Sequence, residues 1–597
     1  MPTNINFNKK LGVIGQTSIT LPSSDDTASM IWTITTPADN HTFKIESIAT
    51  AGYNNYDIDW GDGTSESGIT IGNKTHVYAT AGLYEIKVIG DIYIMMSSVT
   101  TAHSSVYTEW KQWGTDAKVT AFREWFYRAS NMAYTATDAP TFDLKVSANY
   151  WGPYRSFFNC DGITSLDLSG WDVSSLQNIG QSTFQSMNNL AYLNISNWNL
   201  SGITSWANGI SSVGSSVVGG CELIAPNVKL NAATSLSSLF LNSAFKSMNV
   251  NNWTLNPTSV NLNQMFRGIG GTAASYYGLI DLDLSTWNNI GSNIVSNSLD
   301  LWFYSARGIK TLNISNWDLR HITDFRQCFY QITHCEYIEG LNEQRWNSAT
   351  SLSECFENTF KLKFDTHNFH NDFGSSWSVT TFQDCFRRNG YTNAVGDRGV
   401  FPNIANWDMS NAVSVSSMFR EARYNGTSTF APSTSWDLSN VTSLSAFAYA
   451  HVGIQVWDWS NVTIASTMTN ISLFATYVSS GSNPQALSTM IFGSNCNFSG
   501  VTTWANFAKN RVSLTTLTFD SAVSFAATTS MATFANAAPL STASYDALLI
   551  RLDATNNNNS VVLYLNLAQY TLGSAAETSR TQLVTNQSWT ITDAGGV

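Results

Sequence analysis

The chain has 597 residues, of which 43% are hydrophobic and only 12% are charged, and its formal net charge is −12 at pH 7. A chain of this length is expected to fold as several domains or as a repeat array rather than around one core. The acidic balance, with no run of basic residues, argues against nucleic acid as a partner, because binding to the phosphate backbone needs clustered Lys and Arg.

The first residues and the hydropathy of the chain bear on where the protein acts. The segment MPTNINFNKKLGVIGQ has no apolar core of the kind that a secretory signal requires. No stretch approaches the ~20 consecutive apolar residues of a membrane helix. We therefore expect a soluble protein without membrane insertion that does not use the general secretory route.

The amino-terminal part is predicted to be all-β. Residues 1–28 are polar with little periodicity, so they form either an arm or a first strand. Residues 29–93 contain the alternating segments MIWTITT, TFKIESIAT and LYEIKV, which predict short strands with one buried side. Between them, WGDG predicts a tight turn.

The segment DWGDGT followed by HVYATAGLYEIKV resembles the PKD (polycystic-kidney-disease-type) domain. The resemblance implies an immunoglobulin-like β-sandwich over residues 29–93. Asp59 and Asp62 in this segment supply oxygen ligands of the type that calcium prefers. Such Asp residues more often accept hydrogen bonds from the amides of their own turn, and that is the interpretation we favour.

Tryptophans mark a repeat through residues 94–540, and most intervals between them are 27 to 34 residues. A period of this length indicates a solenoid or a propeller. The marking residues are Trp171, Trp198, Trp253, Trp287, Trp317, Trp346, Trp377, Trp407, Trp436 and Trp457. We expect these rings and the accompanying Phe residues to form ladders in a shared core.

Each copy has three parts. A short alternating strand, as in SLDLS, YLNIS, DLDLS and TLNIS, is followed by a polar corner such as WDLS, in which Asp and Ser satisfy turn amides. In NVTSLSAFA, Val441, Leu444, Phe447 and Ala448 have a spacing that predicts a short helical turn with one apolar face. A return loop completes the coil.

The copies WDVSSL…F, WDMSNAVSVSSMF and WDLSNVTSLSAF resemble the BspA-type leucine-rich repeats of bacterial surface proteins. The resemblance implies a mixed α/β leucine-rich-repeat solenoid that attaches to a surface or to a host ligand. Cys328, Cys355 and Cys385 each precede a Phe where other copies have Met. A position that accepts Cys or Met is best explained as an apolar core position, in preference to a disulfide or a metal ligand.

Residues 541–597 are predicted to be an α/β cap on the last coil. In STASYDALLIRL, Tyr545, Leu548, Leu549 and Leu552 share one helical face, and Ser541 or Thr542 can cap that helix. Asn556 to Asn559 turn, VVLYLNL is a strand, AAETSRTQLV a second helix and SWTITD a last strand. This segment also resembles the ends of phage and prophage-encoded repeat proteins.

Enzyme signatures are missing from the sequence, and we expect no catalytic residues, no cofactor and no enzyme activity. The segment FDTHNFHNDF groups Asp365, His367, His370 and Asp372 in a spacing that a transition metal could use, but a polar outer loop is the simpler interpretation. A second set is aromatic and could form sugar platforms or, more simply, pack against the first coils: Tyr107, Trp110, Trp113, Tyr150 and Trp151. Paired carboxylates for glycoside cleavage are left open.

We expect a non-enzymatic virion surface protein of a bacteriophage, either a tail-fibre or receptor-binding component or a head decoration. Its expected partners are other capsid or tail proteins and a host surface protein or glycan, and homo-oligomerisation is left open. The alternative is a secreted cell-surface adhesin of the BspA type, located outside the cell. A carbohydrate-active enzyme built on a repeat scaffold is a third interpretation.

Overall fold

A computed structural model describes residues 26–47, 52–70, 72–94, 104–144, 152–270, 280–287, 290–295, 298–341, 346–363, 377–391, 401–402, 404–477 and 487–597. The chain divides into two compact units. Unit 1 comprises Met1–Ile280 and Thr286–Asn289, and unit 2 comprises Asp281–Ser285 and Ile290–Val597.

Unit 1 begins with ten strands. They are β1 Met30–Thr36, β2 His41–Ile45, β3 Asn55–Asp59, β4 Ser65–Ile69, β5 Lys74–Tyr78, β6 Gly82–Ile92, β7 Tyr107–Gln112, β8 Ala117–Val119, β9 Ala133–Tyr134 and β10 Thr141–Phe142. Eight of them form one sheet with the order β10-β8-β6-β1-β7-β9, in which β3 pairs with β6 and β4, and β2 pairs with β5 separately. The predicted strands MIWTITT and LYEIKV are confirmed, whereas TFKIESIAT is a strand as far as Ile45 and its last three residues lie outside the described part of the chain.

The sheet built on β1 and β6 extends beyond residue 93, because β7 pairs with β1 and β8 pairs with β6. Its core is aromatic: the rings of Trp32 and Trp110 stack with centroids 5.3 Å apart, and Trp113 and Trp125 are fully buried beside them. The immunoglobulin-like sandwich and its boundary at residues 93 and 94 remain predictions.

The coils contribute short strands. They are β11 Ser165–Asp167, β12 Gln177–Ile179, β13 Tyr192–Asn194, β14 Gly202–Ser205, β15 Cys221–Ile224, β16 Phe245–Asn249, β17 Ile280–Asp283, β18 Ile309–Asn313, β19 Tyr337–Glu339, β20 Arg423–Phe430, β21 Val452–Trp459, β22 Thr489–Phe492 and β23 Thr516–Phe519. The orders β11-β13-β15-β16 and β20-β21-β22-β23 are parallel throughout, as expected when each strand repeats one coil later. The predicted alternating strands of the repeat are confirmed.

The predicted helical turn is wrong. In the coil at residues 441–451, Tyr449 donates its amide to Ala446 O and so closes a central turn. The amide of Phe447 donates to Leu444 O and the amide of His451 to Ala448 O, which closes two turns that overlap the central one. The third residues of these turns, Ala446 and Ala450, have φ of 56° and 55°, a left-handed conformation that no helix contains. Their own amides donate to carbonyls of the next coil, so the segment is a ladder of turns between coils. The described chain is therefore mostly β, and the mixed α/β class holds only at the carboxyl end.

Aromatic rings fill the core of the coils, as predicted. Every marking Trp is buried. In unit 2 the Phe rings follow one another at centroid distances of 5.1 to 5.8 Å through Phe303, Phe329, Phe356, Phe386, Phe419, Phe447, Phe474, Phe507 and Phe534. The preceding Cys328, Cys355 and Cys385 are free and buried, which confirms the apolar core position.

The carboxyl end has the predicted order of helix, strand, helix and strand. The helix α1 Thr542–Thr555 has Ser541 as its N-cap and buries the predicted face, while α2 is Ala575–Asn586, β24 is Val562–Tyr564 and β25 is Thr590–Thr592. Asn556 after α1 donates to Phe525 O and Thr528 O at 2.8 and 2.9 Å, which joins the helix to the preceding coil. Within the described residues, no helix is long and apolar enough to cross a membrane.

Candidate functional site

The WD corner of each coil is architectural. The indole of Trp198 donates to Leu168 O at 2.8 Å and that of Trp436 to Ile404 O at 2.9 Å, each reaching back to the preceding coil. Asp408 Oδ1 accepts from the amide of Ser410 at 3.0 Å and from its hydroxyl at 2.6 Å. The Asp and Ser of the motif therefore satisfy their own turn, as the sequence predicts, and are not free for chemistry.

The turns that replace the predicted helix form a second face, called the turn face below. It consists of the left-handed residues of these turns, such as Ala446 and Ala450, and of the residues beside them. In each coil two consecutive side chains of this segment point into the core, as the fully buried Met418 and Phe419 do. The side chains on either side of such a pair are therefore directed outward. This face carries most of the ionic and aromatic surface contacts of the coils.

In unit 1 the turn face carries arginines stacked on partly exposed rings in two neighbouring coils, called the Arg-aromatic cluster. Its members are Arg123, Tyr127, Arg128, Tyr154, Arg155 and Phe158. The guanidinium carbon of Arg123 lies 4.5 Å from the Tyr154 ring centroid, and that of Arg128 lies 5.1 Å from the Tyr127 ring. The rings of Tyr127 and Phe158 stack with centroids 5.1 Å apart.

The Arg-aromatic cluster has an excess of positive charge. Within the described residues, Arg128 and Arg155 form no ion pair, and Glu124 is the acidic member of the neighbourhood, 3.7 Å from Arg123. A guanidinium stacked on a ring keeps its edge donors for a ligand while the ring removes little of its charge. The arrangement can therefore bind an anionic group and stack a planar or sugar ring beside it.

In unit 2 the turn face is charged but balanced. Arg326 forms two hydrogen bonds with Asp300, at 2.7 and 3.2 Å, and Arg388 Nε donates to Glu421 at 2.8 Å. The rings of Tyr304 and Tyr330 stack at 4.6 Å. These pairs join neighbouring coils, so their main effect is to tie the coils together.

On the turn face of unit 2, Glu357 is the carboxyl whose pKa is raised furthest. Burial raises its pKa to about 7, against the lowering effect of Arg387, whose guanidinium lies 3.6 Å away. Burial also raises the pKa of Asp384. The Glu357 side chain is only 4% exposed and accepts a hydrogen bond from Asn358, so it is held in the structure rather than presented to a substrate.

The predicted metal candidates have different outcomes. Asp59 Oδ1 accepts from the amide of Gly61 at 2.9 Å, and Asp62 Oδ1 accepts from the amide and hydroxyl of Thr64 at 3.0 and 2.6 Å, which confirms the turn interpretation. Asp365, His367, His370 and Asp372 lie outside the described residues. The residues that are described contain no group of three His, Cys, Asp or Glu side chains able to hold a metal ion.

The aromatic residues weighed as sugar platforms fall into two groups. Tyr107, Trp110 and Trp113 are buried in the sheet, which confirms packing for these three, whereas Tyr150 and Trp151 lie outside the described residues. The sequence analysis missed the Arg-aromatic cluster. Its signal is the pair of segments FREWFYR and YRSFF, in which arginines flank rings at the same place in consecutive coils.

Comparison with known proteins is informative for the coils. Five overlapping segments match the family described as Mycoplasma protein of unknown function, DUF285: residues 152–275, 216–334, 297–395, 376–453 and 392–495. Together they span residues 152–495, more than half of the chain. No curated protein and no solved structure gives a significant match. The similarity therefore covers residues 152–495 of the repeat array and leaves both ends of the chain outside it.

Proposed function

Because the chain belongs to the DUF285 family of repeat proteins, we propose that it is a non-enzymatic attachment protein whose turn face binds ligands on a host surface. The observation that carries the proposal is the Arg-aromatic cluster. There Arg128 and Arg155, which form no ion pair within the described residues, lie against the partly exposed rings of the turn face. A repeat solenoid supplies the extended, preorganised surface that such binding uses.

The setting that we propose is the surface of a bacteriophage particle, as a tail-fibre or receptor-binding component or as a head decoration. Support comes from the resemblance of residues 541–597 to the ends of phage-encoded repeat proteins, and from a chain that is rich in hydroxyl and amide side chains and poor in charge. Other capsid or tail proteins are its proposed partners in the particle. The alternative is a secreted bacterial adhesin, which the BspA-like repeats favour.

Mass spectrometry of gradient-purified phage particles, compared with washed host membranes, separates the two settings. We expect recovery in a constant ratio to the major capsid protein. Recovery from the host envelope alone would contradict the virion proposal and support the adhesin.

Binding of the purified chain to host cells tests the turn face. Replacing Arg128 and Arg155 by Gln removes two cationic edges while keeping the length of each side chain, and we expect at least about a tenfold weaker binding, which is ~1.4 kcal/mol. Arg320→Gln is the matched control, because Arg320 is 63% exposed and paired with Asp318 at a corner of a coil. Equal binding by all three proteins would refute the role of the cluster.

Incubation with host polysaccharide tests the expectation that there is no enzyme activity. We expect no shortening of the polysaccharide. Cleavage that is abolished by one carboxylate substitution, such as Glu357→Gln or Asp384→Asn, would replace attachment by glycoside hydrolysis.

A further inference from the structure

Three ionisable side chains are buried together in the amino-terminal sheet, and the attachment function does not use them. Asp26, Asp59 and Lys87 are each only 8% exposed. Lys87 Nζ lies 3.4 Å from Asp26 Oδ2. We propose that Lys87 and Asp26 are joined by an intramolecular amide bond between their side chains, and that Asp59 assists its formation.

The strand register places Asp59 beside Lys87. In the antiparallel pair of β3 and β6, Asp59 is directly opposite Lys87, and on the other side of β6 Ile31 is opposite Lys87. Directly opposed residues project from the same face of a sheet with their Cβ atoms about 4.5–5.5 Å apart. The Asp59 carboxyl therefore borders the same buried site as the Lys87 amine.

The backbone before β1 holds Asp26 against Lys87. Asp26 Oδ1 accepts from the amides of Ala28 and Ser29 at 3.2 and 3.0 Å, which leaves Oδ2 directed at the amine. The amides of Thr115 and Asp116 donate to Thr27 O and Ala28 O, at 3.0 and 2.9 Å.

The side chain of Gln112 adds a further bond to this segment by donating to Asp26 O at 2.7 Å. An amine and a carboxyl held at this distance react as neighbours within one molecule, and such preorganisation replaces a very high concentration of a free reactant.

Of the two described carboxyls that form an ion pair with Lys87, Asp26 lies nearer to the amine than Glu85 does. Glu85 Oε1 is 3.9 Å from Lys87 Nζ, but this side chain is 43% exposed and its Oε2 accepts from Lys111 at 3.0 Å. Asp59 Oδ1 accepts from Gly61. Burial raises the pKa of Asp59 from its ordinary value, which favours the protonated form needed for proton transfer.

The reaction is a condensation without any change in oxidation state. Within the ion pair, Lys87 Nζ first passes a proton to Asp26 Oδ2, and the lone pair of the resulting amine attacks Cγ of the protonated carboxyl to give a tetrahedral intermediate. The C–N bond forms, a C–O bond of the carboxyl breaks, and one water leaves. Asp59 donates a proton to the departing oxygen and accepts one from the nitrogen, so it ends in the protonation state in which it began.

The amide removes two formal charges from a site that solvent barely reaches, where an ion pair loses much of its gain to desolvation. It also closes the chain between residues 26 and 87. A force on the segment before β1 would then pass directly to β6, instead of separating β1 from its neighbours.

The mass of the intact, denatured chain tests the proposal. We expect a mass lower than that of the sequence by one water. Trypsin should release residues 11–44 joined to residues 75–111, with Lys87 uncleaved, and fragmentation should place the link at Asp26 and Lys87. A mass equal to that of the sequence, or a water lost within one peptide, would overturn the proposal.

Variants test the roles of Lys87, Asp26 and Asp59 in formation of the amide bond. Lys87→Met and Asp26→Ala should restore the full mass, whether or not the protein folds. Lys111→Met, which removes the amine paired with Glu85, should still lose one water. Asp59→Asn should leave the bond largely unformed, and Asp59→Glu should restore it. Complete bond formation in a folded Asp59→Asn protein would remove Asp59 from the mechanism.

Discussion

In the amino-terminal sheet Met30 pairs with Val88, whereas in the coils Leu166 pairs with Leu193, one repeat later. The first region depends on contacts between distant parts of the sequence, and the second on contacts between neighbouring repeats. The stability of a repeat array is close to a sum of coil and interface terms. A defect in a coil is therefore expected to stay local, and a defect in the sheet to spread through it.

The two regions also differ in how they use left-handed backbone. The sheet places glycine at Gly61 and Gly90, where an added Cβ would collide with the backbone carbonyls of Glu85 and Asn55. The coils place many residue types other than glycine at their left-handed positions, including Arg128 and Arg155, although an L residue there costs roughly 1 kcal/mol. Most of these residues donate their amides to the next coil, as Ala446 does to Ser472 O, which offsets the cost.

Core truncation should show the largest effects. Phe356→Ala, in the Phe ladder, and Trp32→Ala, in the sheet, should each lower local stability by about 3–5 kcal/mol, because both rings are fully buried. Hydrogen exchange should rise first in the coils of Phe329 and Phe386 for the first variant, and throughout β1, β6 and β7 for the second.

The matched controls for truncation are Val413→Ala and Leu83→Ala, whose side chains are 56% and 68% exposed. They should change stability by no more than ~0.5 kcal/mol. An even rise in exchange through all coils of Phe356→Ala would show that the coils are not independent.

The stability of the coil core should depend on pH through one buried histidine, His451. His451 is buried against Arg511, and its Nε2 accepts from the indole of Trp457 at 3.1 Å. Burial, followed by the charge of Arg511, holds the pKa of His451 well below 6.5. Below about pH 6.5 the unfolded chain binds a proton at His451 and the folded chain does not, so the contribution of His451 to stability should fall as pH falls, by up to ~2 kcal/mol between pH 6.5 and 5. Glu357, whose pKa burial raises to about 7, contributes in the opposite direction.

Urea midpoints at several pH values measure this slope. His451→Gln should remove the slope between pH 6.5 and 5 while lowering stability at every pH through lost packing. An unchanged slope in the variant would assign the effect to another group.

Removing a hydrogen bond at a corner or turn should lower stability less than core truncation does. The loss should be similar in the coils and in the amino-terminal sheet. Asp408→Ala in a coil and Asp62→Ala in the sheet each leave a turn amide without its acceptor, and each should cost about 1 kcal/mol in urea denaturation. Asp408→Asn should be nearly neutral, because Asn199 makes the same bonds to Ser201 in another coil. A large loss in Asp408→Asn would mean that the charge, rather than the acceptor, is required.

The smallest expected effect is an increase in stability. Ala446→Gly should stabilise the protein by about 0.5–1 kcal/mol, because glycine adopts a φ of 56° without strain. Ala448→Gly, two residues later, is the control and should destabilise by a similar amount, since Ala448 is fully buried and does not have a left-handed φ. Thermal unfolding of both variants measures these two changes in stability. Changes of the same sign in both variants would contradict the argument that the left-handed residue is strained.

Sequence alone was enough to predict several features that follow from local chemistry or from repetition. The Trp period, the alternation in YLNIS, the cap at Ser541 and the role of Asp59 and Asp62 in their turn are all confirmed, since each depends on residues close together in the chain. Repetition also made Cys355 recognisable as a core residue, because Met takes its place in other copies.

Tertiary structure decided what depends on contacts with the next coil or strand. The spacing of Val441, Leu444 and Phe447 suits a helix. The amides of the left-handed Ala446 and Ala450 instead bond to the neighbouring coil, and that ladder replaces the helix. The Arg-aromatic cluster arises because consecutive coils bring FREWFYR and YRSFF side by side. The meeting of Asp26 with Lys87 likewise depends on β1 pairing with β6, a contact between distant residues that no local pattern encodes.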